Sequence, residues 1–237
     1  MEYVYFLAIA FFGSMISAIF GLGSGFFVLS FGALLLPLKD CIALTTVLFT
    51  AATLTKAVLY RKEIDWKLAL TIALASIPFA WLGAETLARI DPEPLKPLLA
   101  GFIIFSVALT LTGYRMSLPT NLSTTLTVSA LYGFISGFLS SGNPVKAIAM
   151  EKMGFERQAF IGVMAATGIG VNLTKITSYA GNGILHKGHL TIGLALFSIA
   201  IITAILGKHL VMKIPGEQHK KGLSLILLVA AGALLFK

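Results

Sequence analysis

One segment occurs twice in this chain, and each copy sets a lysine one helical turn before a tyrosine. Thr53-Leu54-Thr55-Lys56-Ala57-Val58-Leu59-Tyr60 returns as Asn172-Leu173-Thr174-Lys175-Ile176-Thr177-Ser178-Tyr179. The same offset of 119 carries Ser17 onto Ser136 and Gly23 onto Gly142, and further on an offset of 124 pairs Gly83 with Gly207 and Lys96 with Lys220. The duplication therefore spans almost all of the 237 residues, as repeat 1 over 1–113 and repeat 2 over 122–237. An internal repeat with an embedded cation in each half, in apolar surroundings, is the pattern of a membrane transporter.

Hydrophobic residues make up 57% of the chain and charged residues 12%, and the mean hydropathy is +0.91. A soluble core cannot bury that much apolar surface, so the lipid bilayer is the expected solvent for much of it. The net charge of +8 is scattered over short loops with no aromatic-basic patch, which fits membrane topology and argues against nucleic acid. Cys41 stands alone, which excludes a disulfide framework and a cysteine-rich metal site. No signal peptide is expected, because Met1-Glu2 opens the chain without a basic region and no polar stretch follows the first apolar one.

Residues 3–38 hold no charge and no histidine, but Gly21-Leu22-Gly23-Ser24-Gly25 interrupts the run and Pro37 ends it. The pattern predicts a helix over Tyr3–Phe20, a break, and a short helix over Phe26–Leu36, followed by helices near Cys41–Tyr60, Trp66–Arg89 and Pro94–Gly113. The second half repeats the plan. A helix over Leu122–Leu139 breaks at Ser140-Ser141-Gly142-Asn143-Pro144, then come Val145–Met153, Gln158–Ala180, Leu190–Met212 and Lys220–Phe236.

Basic residues decide the orientation of the halves. If each broken segment is a hairpin, Arg61, Lys62, Lys67, Arg115, Lys152, Arg157, Lys213, Lys220 and Lys221 share one side, nine in all. Lys39, Arg89, Lys96, Lys187 and Lys237 share the other, five in all. Reading each break as a single crossing removes this bias. The expected architecture is thus all-α and polytopic: two inverted repeats in one membrane domain, each a broken hairpin plus three transmembrane helices.

Several motifs stand in order along the first half: the glycine-rich break, Pro37, Ala43-Leu44-Thr45-Thr46, Ile64-Asp65-Trp66-Lys67-Leu68-Ala69-Leu70 and Leu82-Gly83-Ala84-Glu85-Thr86-Leu87-Ala88. In these the chain resembles the TauE/SafE (sulfite exporter) family. In the second half, Ser140-Ser141-Gly142-Asn143-Pro144 replaces the second glycine cluster and no Asp-Trp loop recurs. The resemblance implies secondary transport, often export, of small anions such as sulfite or organosulfonates.

The breaks supply the first candidate substrate-binding residues: Gly21, Gly23, Ser24 and Gly25 in one half, Ser141, Gly142 and Asn143 in the other. Broken backbone inside a membrane is tolerated where it lines a cavity, and a helix starting there offers free amides to an anion. The competing reading is that the glycines only let helices pack closely. Lys56 and Lys175 follow, with snorkelling to the headgroups as their competing reading. Asn172, equivalent to Thr53, and Thr46, from the Ala-x-x-Thr start, complete the set. Glu85 and His209 lie near helix ends, where exposure is expected, though either is able to carry a proton.

These features converge on a multi-pass cell-membrane transporter that moves a small anion by alternating access around two glycine-containing breaks. No catalytic residue, metal or cofactor is expected, since no nucleophile elbow, Walker loop or HExxH motif occurs. Proton or ion coupling and a homodimer both remain compatible with the sequence. The rivals are an anion channel on the same scaffold and, less favoured, an intramembrane enzyme.

Overall fold

Long apolar stretches punctuated by capping residues fold into helices, and this computed structural model describes residues 1–20, 24–91, 94–112, 121–151 and 157–211. The helices are α1 Glu2–Phe20, α2 Ser24–Gly32, α3 Leu38–Leu59, α4 Trp66–Arg89 and α5 Leu95–Thr112 in the first half. Repeat 2 supplies α6 Leu122–Leu139, α7 Asn143–Glu151, α8 Arg157–Gly181 and, after a 3₁₀ turn at Lys187–His189, α9 Leu190–Val211. The helix expected over Lys220–Phe236 lies outside the described residues. Among the described residues six helices, α1, α3, α4, α6, α8 and α9, are long and apolar enough to cross a membrane. Inside the protein, α3 and α8 bury 67% and 61% of their spans, whereas the other four leave most of theirs free for lipid.

Local chemistry sets the ends. Asp65 Oδ1 accepts from the Leu68 amide at 3.0 Å, so the Asp-Trp loop is an N-cap for α4, and Trp66 Nε1 donates to the Arg61 carbonyl. Asn121 caps α6 in the same way through the Thr124 amide. Most expected boundaries shift by one or two residues, and two move further. The short first-half helix ends at Gly32 instead of Leu36, because turns take over before Pro37. Helix α3 starts at Leu38 instead of Cys41, as the chain re-enters helix right after the proline.

The described residues form two compact units. One is built from α1, α2, the start of α3 up to Leu48, α5 and α9; the other from the rest of α3, with α4, α6, α7 and α8. Each unit thus packs a helix of one repeat on a helix of the other. In the second unit α4 lies on α6, where a Cβ on Gly83 would collide with the Phe134 carbonyl oxygen and one on Gly137 with that of Ala80. In the first unit α9 lies on α1, where a Cβ on Gly207 would meet the Cβ of Ala18. Gly207 is the repeat equivalent of Gly83, and Ala18 that of Gly137. The same small-residue seam is therefore made twice, by the close packing that membrane helices use in place of a hydrophobic drive.

Candidate functional site

The second break is built on the end of α6. Ser140 leaves the helix in the left-handed region, with φ 58°, a conformation that disfavours a residue with a side chain. Its repeat equivalent is Gly21, which would adopt it freely. The chain then doubles back. A Cβ on Gly142 would stand 2.5 Å from the Tyr132 carbonyl oxygen and 2.9 Å from the Ser136 amide. A straight helix would hold residues 132 and 142 about 15 Å apart. Glycine is thus required at 142 for this close approach. Asn143 opens α7, and Pro144 follows in its first turn, where the missing amide costs nothing.

Two lysines reach this break from the helices around it. Lys175 on α8 is fully buried, and its Nζ lies 3.4 Å from the Ser140 hydroxyl. Snorkelling does not describe it. Lys146, in the first turns of α7, is 1% exposed; its Nζ donates to the Met164 carbonyl at 2.9 Å and to the Thr167 hydroxyl. The same ammonium sits 4.1 Å from the centre of the Tyr132 ring, within cation–π range. Among the described residues neither lysine has a carboxylate partner. Burying an ammonium costs several kcal/mol even after relaxation.

Neighbouring contacts hold the frame. Tyr179, the tyrosine of the repeated motif, donates its hydroxyl to the Gly137 carbonyl and ties α8 to α6. Asn172 Nδ2 donates to the Thr53 hydroxyl at 3.3 Å. These two are repeat equivalents, so the duplicated segments touch at the same position of each copy. Glu85 does not hang free at a helix end: it accepts from Ser178 at 2.8 Å and Asn182 at 2.9 Å, joining α4 to α8.

The other candidates fall differently. Gly21 and Gly23 lie outside the described residues; Ser24 opens α2, and Gly25 after it is buried. Thr46 is buried in α3 and returns its hydroxyl to the Ile42 carbonyl of its own helix. Lys56 is 8% exposed. Ser141 is buried within the second break, next to the Ser140 that Lys175 meets. Lys146, Tyr132, Thr167 and Ser140 were not singled out from sequence. The signal for Lys146 was present, as an ionisable residue in an apolar stretch just past a break, but no copy in repeat 1 drew attention to it.

Fold and site together define a polytopic α-helical membrane protein, with a doubled-back segment that holds buried cations. The chain matches the sulfite exporter TauE/SafE family over residues 6–234 and belongs to that family. It is 27% identical to a protein of Methanocaldococcus jannaschii described as a probable membrane transporter protein, over 93% of this chain and 89% of the relative. No solved structure matches it. The chain is accordingly a multi-pass membrane transport protein.

Proposed function

We propose that this protein is a secondary transporter, working as an exporter, of a small sulfite- or organosulfonate-like anion. The observation that carries the reading is Lys175, fully buried against Ser140 with no carboxylate partner among the described residues. A cation held in low dielectric without a counter-charge attracts an anion strongly, and the helix starting at Asn143 adds its positive dipole end. Ser141, Gly142 and Asn143 belong to the site on this reading, and so do their counterparts from the first half, Gly21, Gly23, Ser24 and Gly25. Thr46, Lys56 and Asn172 belong to the same proposed route. The mechanism is alternating access by two inverted halves, which the doubled-back second break and the contact of Thr53 with Asn172 support.

Sulfite flux into proteoliposomes tests the function. Lys175→Gln should lower uptake by roughly tenfold or more while Lys175→Arg retains much of it, since the lost interaction is charge-assisted. Wild-type flux in the Gln variant would refute the assignment. Labelling of Lys62→Cys and Lys187→Cys in a Cys41→Ser background tests the inversion. Position 62 should react from the cytoplasm and position 187 from outside, and reaction of both from the same side would sink it.

A further inference from the structure

Both cations at the second break are charges that repeat 1 does not reproduce as a pair. Lys175 has Lys56 as its equivalent, but Lys146 has Phe27, Thr167 has Leu48, Tyr132 has Gly13 and Ser140 has Gly21. The polar setting is therefore a property of the second half alone. It is also a costly one. Both ammonium groups border the same break, Lys146 over the Tyr132 ring against which Gly142 packs and Lys175 on Ser140, and each is at most 1% exposed. A buried ammonium beside another needs compensation that carbonyls and hydroxyls give only in part. Lys146 commits two of its three N–H groups, to Met164 and Thr167, and Lys175 commits one, to Ser140. Donors thus remain on both lysines.

Charge arithmetic then separates the ligands. A monoanion would leave this pair of ammonium groups with one uncompensated positive charge, and a dianion would leave none. In a low-dielectric site that residual charge is expensive, whereas in water the difference would be screened. The Tyr132 face lies within cation–π range of the Lys146 ammonium and favours its charged form. We propose that Lys146 is the second cation of a paired-lysine anion site at the break before α7, and that it makes the protein select oxyanions of charge two over singly charged sulfonates. This rests on reading the second break as the substrate site.

The test is calorimetric titration of the detergent-purified full chain, at constant ionic strength, with sodium sulfate and with sodium methanesulfonate. Wild type should bind sulfate roughly tenfold or more tighter than methanesulfonate, the factor expected of one charge-assisted interaction. Lys146→Gln should weaken sulfate by that factor with little change for methanesulfonate, so that the preference collapses. Lys146→Arg, which keeps the charge, should retain it. Thermal unfolding and gel filtration accompany each variant. A Gln variant that keeps the preference, or that weakens both anions equally, overturns the inference and leaves Lys146 a structural tie between α7 and α8. Should neutral variants fail to fold, wild type still decides, because equal affinity for the two anions overturns it as well. If wild type binds neither anion, the reading of the break as an oxyanion site fails instead.

Discussion

From Tyr3 to Leu38 the first half passes through its break without a single charged residue, whereas the second half sets Lys146 three residues after Asn143 and brings Lys175 against Ser140. The seams beside the two breaks nevertheless match. Gly83 meets α6 at Phe134 and Phe138, around Gly137, and Gly207 meets α1 at Ala18, its repeat equivalent. Duplication has therefore kept the packing of small residues and let the chemistry diverge. Packing of backbone on backbone tolerates little change in volume, whereas a side chain that reaches carbonyls, hydroxyls and a ring face, as Lys146 does, has more freedom to change.

The largest expected effect comes from the seam. Gly83→Val drives two methyl groups into the α6 backbone, which cannot move aside, so the variant should yield no monodisperse protein. Gly207→Ala should destabilise more gently, because its obstacle includes the side chain of Ala18. Pairing it with Ala18→Gly should restore much of the lost melting temperature, since volume is then conserved across the contact. No rescue by the pair would mean that the two seams are not equivalent.

Next comes a contrast between the breaks themselves. Asn143→Leu should reduce sulfite flux by roughly tenfold or more, through loss of a polar group and crowding at the start of α7. Ser24→Leu, at the equivalent place, should act more weakly, because Phe27 stands where the second half has Lys146. The opposite ranking would move the charged step of transport to the first break. The smallest effect is expected at Glu85. Glu85→Gln keeps the shape but removes the charge that Ser178 and Asn182 bond, at a cost of about 1–2 kcal/mol in stability with flux nearly unchanged. A loss of flux without a loss of stability would instead make Glu85 a coupling group.

Much of this fold can be read from the residues, and the reasons are specific. The observed spans Trp66–Arg89 and Leu122–Leu139 coincide with those expected, because Asp65 and Asn121 cap their starts and Arg89 and Ser140 stand at their ends. The residues after Gly32 misled, since an unbroken apolar run contains no stop signal before Pro37. Which helix packs on which was not legible. Apolar faces do not name their partners, and only the glycines at 83, 137 and 207 hint at the seams. At the site, repetition drew the eye to Lys175, while the unrepeated Lys146 escaped notice. The proposed site departs from the duplication at Lys146, which Phe27 replaces in the first half, so matched pairs do not point to it.

On the proposed reading, the second break holds the anion. Calorimetry with sulfite on the purified chain measures this most directly, through stoichiometry and the effect of one charge. The account predicts one anion bound per chain, and binding reduced roughly tenfold or more by Lys175→Gln but much less by Lys56→Gln. Two equal sites per chain, or equal losses in the two variants, would contradict it.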